Sequence, residues 1–429
     1  MTANDPDRSR GELDRALGSV PAYASWRVLD PGEDATVDER YAALPATTKQ
    51  WMRARAPHGF VPAGLDLADA LAREDVEIAQ TSGTHGAATT LPWYQPWWDA
   101  SERASWSLNA HASAVATGTH REAVLASPLC VGPGLGDRPL SAQERTLGPF
   151  LFINEDPDVA RWTDRTVHRM HDELERFDPV VLVADPWYLA ELCARAETLG
   201  LRLPLPRLVV FTYALPSKIQ LARIARALPV PTASSYGSTE TGYVFLSCEH
   251  GRMHQNVASC RVDLVPLRAH IGEPALGRPL VTPFGNPWMC ILRFDVGDLL
   301  RLSSGPCPCG RTQGMLLDRI EGRVEDTTLR TDGRIVSAAE LDDALASAPS
   351  CERIVAYQLD QLAPDEYRLH ATTTGPLDAG AIRACLRDVY GPGARIDVRT
   401  VFSLVPERSG KYTRARTRFH VDRDAWFDR

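Results

Sequence analysis

A chain of 429 residues with 44% hydrophobic and 24% charged residues has enough length and apolar content for one large domain and a smaller one. Its formal net charge of −8 argues against nucleic acid and anionic membrane surfaces as main partners. No stretch nears eighteen apolar residues and residues 1–18 hold no apolar signal core, so neither a membrane span nor a signal peptide is expected; the nine cysteines read as thiols or metal ligands of a reducing cytoplasm.

Residues 1–40 are polar and helix-prone, and 1–15 within them read as a disordered lead-in. At 80–89 the sequence QTSGTHGAAT sets Ser82, Gly83, Thr84 and Gly86 together. Two glycines allow backbone N–H groups to approach an anion, and the hydroxyls add donors, so this is a phosphate-loop candidate without the lysine ending of a Walker motif. The stretch 91–106, LPWYQPWWDASERASW, reads as a helix whose tryptophans cover the core. The apolar runs 122–129, 179–184 and 207–214 read as buried strands; between them Val167, Met170, Leu174 and Phe177 recur at helical spacing, as do the apolar residues of 220–228. Such alternation predicts an α/β fold with a mostly parallel sheet flanked by helices.

Four further segments carry chemistry. In SSYGSTETG (234–242), Tyr236 offers a ring for a flat base and Glu240 a hard oxygen ligand for Mg²⁺. In RFDVGDLLRL (293–302), Asp298 offers a carboxylate to paired hydroxyls. GRVED (322–326) lies at a change of character near 319–326, which divides a large domain, 1–320, from a small one, 321–429. In the small domain, Asp332–Gly333 reads as a turn, Ser337 and Glu340 as a capping box, and 353–360 and 366–374 as paired strands. PERSGKYTRAR (406–416) presents Lys411 after a glycine turn.

Cys307 and Cys309 form a C-x-C pair in PCPCGRT, and Cys248 and His254 lie about fifty residues upstream with His250 as a substitute. Two such pairs are the donor set of a closed, structural, tetrahedral Zn²⁺ site. Cys260 and Cys290 read as small core residues.

The order SGTxG, YGxTE, GD, GRxxD and P-x-x-x-GK, with LPATTK (44–49) and CPCGRT, resembles the AMP-forming acyl-adenylating (ANL) superfamily, and within it the phenylacetate–CoA ligase family. The resemblance spans roughly residues 40–415. It implies a multi-layer α/β adenylating domain and a small, mobile α+β C-terminal domain. Ser82, Gly83, Thr84 and Gly86 would wrap phosphates. Tyr236 and Gly237 would flank adenine, with Ala214 in the loop that borders it; Ser238 and Thr239 would bind the nucleotide, Asp298 and Arg323 would bind ribose, and Glu240 would hold Mg²⁺. Lys411 would bridge the acid and the α-phosphate, and Glu325 would lie at the hinge. The implied activity joins a small carboxylic acid to AMP at the expense of ATP and passes the acyl group to coenzyme A. The alternatives are acyl delivery to a carrier protein or amine, and nucleotide binding without turnover. Three departures stand out: Ala87 where the family has lysine, His85 where it has threonine, and Tyr213-Ala214-Leu215-Pro216 where it reads G-A-E-P.

Overall fold

The computed structural model describes residues 4–80, 89–116, 119–134, 138–268, 276–408 and 410–427. The candidate phosphate loop, with Ser82, Gly83, Thr84 and Gly86, lies outside the described residues. The chain divides into two units: Met1–Ser113 with Ser235–Pro266 and Ala275–Arg319, and Ala114–Ser234 with Leu267–Pro274 and Ile320–Arg429.

In the second unit the strands Phe150–Phe152, Glu122–Leu125, Val181–Ala184 and Leu208–Phe211 pair in that order, all parallel, and the start of Thr232–Ser238 extends the series. Val, Leu, Phe and Ala fill these strands because both faces are covered. Helices Asp164–Phe177, Pro186–Thr198 and Lys218–Ala227 supply that cover, packing Val167, Met170, Leu189, Leu192 and Ile224 against Leu125, Leu182 and Phe211. Their starts are written locally. Thr163 and Ser217 form capping boxes with Thr166 and Gln220, and Asp185 caps a helix whose first residue is Pro186.

The same unit carries the hairpin Ile354–Ala363 with Glu366–Thr373, extended in parallel by Arg395–Thr400 on one side and Ala415–Thr417 on the other. Helices Ala338–Ser347 and Ala379–Tyr390 cover it, and Leu341, Leu345, Leu359, Leu369, Ile382 and Leu386 form its core. The expected Ser337–Glu340 capping box opens the first of these helices.

In the first unit the pairing changes. Ser235–Ser238 pairs antiparallel with Gly242–Ser247, which pairs antiparallel with Met253–Gln255; Cys260–Pro266, Leu276–Pro283 and Asp298–Leu302 are also antiparallel neighbours. The parallel expectation thus holds over 122–234, apart from the short antiparallel pair of Thr146–Leu147 with Phe150–Phe152, and gives way after it. Only Thr239, Glu240 and Thr241 join the first of these pairs, too few for the crossover that a parallel pair requires. Helix Gln95–Trp106 lies on Gly242–Ser247 and buries Trp97 and Trp106, as a helix cover should.

One expectation fails. Residues 6–15 are not a disordered lead-in but most of helix Pro6–Ser19. Asp5 accepts from the N–H groups of Asp7 and Arg8, Pro6 takes the first position, and Leu13, Ala16 and Leu17 are buried. A short apolar stripe with a good cap outweighs the polar composition. Among the described residues, no helix is long and apolar enough to cross a membrane.

Candidate active site and metal cluster

Tyr236 and Asp298 come together in the first unit. The phenol of Tyr236 donates to the Asp298 carboxylate at 2.8 Å, with both side chains buried. Tyr236 lies on a strand; Asp298 opens the strand Asp298–Leu302 just after Gly297, which turns with a φ of +85°. A buried carboxylate with a charge-assisted partner is fixed in orientation.

Glu240 sits at the turn after Ser238 and is buried. The turn is closed by Thr241 N–H to the Ser238 carbonyl at 3.1 Å and by Ser238 N–H to the Thr241 hydroxyl at 3.2 Å. Gly237 has no side chain because a Cβ there would lie 2.0 Å from the Gly242 carbonyl oxygen. Helix Gln95–Trp106 steadies the far side: Ser101 Oγ accepts from Tyr243 N–H at 2.9 Å, and Glu102 accepts from the Tyr243 phenol at 2.8 Å. A buried carboxylate in a turn rich in hydroxyls and backbone groups is a suitable oxygen donor for Mg²⁺. Thr239 occupies the same turn, half-buried.

In the second unit, Lys411 is carried on a turn closed by Gly410 N–H to the Glu407 carbonyl and Glu407 N–H to the Lys411 carbonyl, both 2.8 Å. Tyr188 donates its phenol to the Gly410 carbonyl at 2.9 Å. A Cβ on Gly410 would lie 2.0 Å from Ser127 Oγ. Ser127 is two residues past strand Glu122–Leu125, and Asp185 one residue past Val181–Ala184, so the turn is seated at the carboxyl ends of parallel strands. That edge is where open α/β sheets bind ligands. Asp185 is buried and accepts from Trp187 N–H at 2.9 Å. Burial pushes its carboxyl up to about 6, with the Trp187 hydrogen bond and the charges of Lys411 and Arg414 drawing it back.

Ala214 is exposed, after strand Leu208–Phe211. Its N–H bonds the Thr212 carbonyl at 2.8 Å across Tyr213, whose φ is +68°. This is a γ-turn with a bulky residue in the left-handed region, a strained arrangement. Tyr213 keeps a backbone shape that favours glycine, the residue the resemblance leads one to expect there. Arg414 donates to the Leu215 carbonyl and, at 3.2 Å, to Gln220, tying this loop to the segment after Lys411.

Arg323 ends strand Leu316–Arg323, half-buried, and belongs to the second unit. The segment after it is folded by Asp326 N–H to the Arg323 carbonyl at 3.1 Å. Arg423 donates to the carbonyls of Val324 at 3.0 Å and Glu325 at 3.1 Å, and sits 3.5 Å from the Glu325 carboxylate. Sequence reasoning missed Arg423, Asp185, Trp187 and Tyr188. The last three lie in ADPWYLAELCARAETLGL (184–201), a stretch that resembles a helix of the phenylacetate–CoA ligase family but whose Asp-Pro marks a cap and not a partner.

Cys248, His254, Cys307 and Cys309 present ligand atoms that all lie within 4.8 Å of one another. Cys248 Sγ is 3.6 Å from Cys307 Sγ, and Cys309 Sγ is 3.3 Å from His254 Nε2. Tetrahedral bonds of zinc length require S···S near 3.8 Å and S···N near ~3.6 Å, so the donor set and spacing fit Zn²⁺. Burial and the neighbouring Arg311 shift His254 below the usual imidazole range, toward the neutral form that a ligand needs. Burial pushes Cys307 up to about 11. At Cys309 burial acts the same way but is outweighed by hydrogen bonds from Arg311 and the two neighbouring thiols, so its pKa falls below the usual range. Arg311 is itself held by Glu249 at 3.0 Å. His250 contributes its N–H to Cys248 Sγ at 3.4 Å rather than its ring to the cluster. Cys260 and Cys290 are fully buried core residues, as expected.

No protein-family model matches the chain, and no curated protein sequence matches it. Solved structures do. A 2-hydroxyisobutyryl-CoA ligase in the postadenylation state with 2-HIB-AMP is 17% identical over 98% of this chain and 89% of that chain, at TM-score 0.66. Its complex with R3-HIB-AMP gives 18% identity, the same coverage and TM-score 0.68. The anthranilate CoA ligase AuaEII with anthranoyl-AMP is 14% identical over 88% of this chain and 74% of that chain, at TM-score 0.53. Across almost its whole length, the chain therefore has the α/β fold of these acyl- and aryl-CoA ligases.

Proposed function

We propose that the chain activates a small carboxylic acid with ATP, as an acyl-AMP, and passes the acyl group to coenzyme A. The observation that carries this reading is the seating of the Lys411 turn at the carboxyl ends of parallel strands, beside Asp185. The fold is that of proteins named as CoA ligases with bound acyl-AMP, and the motif order resembles the phenylacetate–CoA ligase family.

In the first step a carboxylate oxygen bonds to the α-phosphorus of ATP, the bond to the β-phosphate oxygen breaks, and pyrophosphate leaves. Two anions must approach, so a fixed cation is needed where charge accumulates. Lys411 supplies it. Asp298 and Arg323 hold the ribose, Tyr236 faces the adenine with Gly237, Ser238, Thr239 and Ala214, and Ser82, Gly83, Thr84 and Gly86 receive the phosphates. Glu240 would hold Mg²⁺, which when bound spreads the phosphate charge. In the second step the thiol sulfur of coenzyme A bonds to the acyl carbon, its proton passes to water, and AMP leaves. Residues 321–429 act as the small mobile domain. Cys248, His254, Cys307 and Cys309 hold a structural Zn²⁺.

The test is incubation with ATP, Mg²⁺, coenzyme A and a panel of aryl and short acids, with pyrophosphate and thioester read in parallel. Acid-dependent pyrophosphate with matching acyl-CoA supports the reading. Pyrophosphate without acyl-CoA moves the acceptor to a carrier protein or amine, and no acid-dependent pyrophosphate overturns the reading.

A further inference from the structure

Lys411 is fastened on both sides by residues of one helix start. Tyr412, its next neighbour, stacks on Trp187 with ring centroids 4.4 Å apart and planes 7° from parallel. Tyr188 meets the same ring edge-on at 6.2 Å. The Tyr412 hydroxyl accepts from Val159 N–H at 3.4 Å. On the other side, the Tyr188 phenol is shared between the carbonyls of Gly410, 2.9 Å, and Pro157, 2.8 Å. Beyond Tyr412, Thr413 donates to Glu407 at 2.5 Å, and its carbonyl accepts from Gln358 at 2.9 Å. Trp187 and Tyr188 are both buried, on the first turn of the helix that Asp185 caps.

We propose that Trp187 and Tyr188 form an aromatic receptor for Gly410 and Tyr412 that positions Lys411 for the acid-activating step only. The inference rests on the assignment of Lys411 made above. The restriction to one step follows from charge. Attack of a carboxylate on a phosphate brings two anions together and depends on where the ammonium stands. Attack of a neutral thiol on an acyl carbon brings no second anion to the phosphate, so it leans less on that position. A group displaced by about an ångström from a reacting centre loses on the order of a hundredfold in rate. Loosening the receptor should therefore slow adenylation and spare thioester formation. Trp187 and Tyr188 touch no substrate in this account; they are positioning residues.

The experiment compares wild type, Lys411→Ala, Tyr188→Phe, Tyr412→Ala and Tyr412→Phe in two assays. One is acid-dependent ATP–pyrophosphate exchange with the best acid of the panel. The other is thioester formation from that acid's preformed acyl-adenylate and coenzyme A. Expected is a loss of about tenfold or more in exchange for Tyr188→Phe and Tyr412→Ala, near-wild-type exchange for Tyr412→Phe, which keeps the stack, and thioester rates within about twofold for these three variants. Exchange abolished by Lys411→Ala but unchanged in Tyr188→Phe and Tyr412→Ala overturns the inference alone. Exchange that survives Lys411→Ala, or is absent with every acid, overturns the assignment beneath it. Equal losses in both assays also overturn the inference, since they mark a general structural role. Amide hydrogen exchange of residues 410–413 needs no substrate: faster exchange in Tyr188→Phe is expected, and unchanged protection counts against the receptor.

Discussion

Tyr236 donates its phenol to Asp298 at 2.8 Å, so two residues sixty-two positions apart, both proposed for the nucleotide site, form one buried unit. A hydrogen bond to a charged, buried acceptor contributes roughly 1.5–3 kcal/mol. A double-mutant cycle of Tyr236→Phe and Asp298→Asn in urea should give a coupling of that size. Asp298→Ala should weaken ATP binding, by calorimetry, about tenfold or more, and Tyr236→Phe less. Additive stabilities would break the pairing, and unchanged ATP affinity in Asp298→Ala would remove it from the nucleotide site.

Asp185 sets a pH dependence whose sign is fixed. Burial raises its carboxyl from an ordinary value of 3.8 to about 6. The folded state therefore binds more protons than the unfolded state between these values, and stability falls as pH rises from about 4 to 6. The full cost above pH 6 is about 3 kcal/mol. Asp185→Asn keeps a capping oxygen and removes the titration. Its stability relative to wild type should improve by about that amount between pH 4 and pH 7, read from urea midpoints. Parallel pH profiles for the two proteins would contradict this.

The four-ligand cluster predicts one zinc per chain by elemental analysis. Cys307→Ser and Cys309→Ser should each lose the metal and destabilise the chain by at least about 3 kcal/mol, because a closed structural site contributes folding free energy directly. Cys260→Ser should retain it. A metal-free wild type with unchanged melting temperature would end the proposal.

At Tyr213 the φ of +68° tests whether the γ-turn carries strain. Tyr213→Gly relieves the backbone and should stay within about 1 kcal/mol of wild type. Tyr213→Val puts a β-branched residue in the left-handed region and should lose about 2 kcal/mol more. Equal stabilities for the two variants would show that the turn relaxes freely.

Much of the fold was legible because it is local. Apolar runs marked the parallel strands, and the Ser337–Glu340 capping box was readable from two letters three residues apart. The gathering of Cys248, His254, Cys307 and Cys309 was legible for another reason: cysteine and histidine are few, and their chemistry limits what they do together. What was not legible depends on distant contact. Tyr188 and Gly410 meet across 222 residues, and Arg423 folds back onto Val324 across 99. Neither end carries a pattern that names the other. Tyr213 could not be read as a left-handed residue because its side chain gives no sign of it. The helix Pro6–Ser19 was missed by weighing composition above the Asp5–Pro6 cap.

The central claim is that the Lys411 ammonium neutralises charge as the acid attacks phosphorus. It is tested most directly by acid-dependent ATP–pyrophosphate exchange in wild type and Lys411→Ala, with folding of the variant checked by circular dichroism. Loss of a preorganised cation should lower exchange by on the order of 10²–10³-fold while ATP binding persists. Exchange at the wild-type rate in Lys411→Ala would contradict the account.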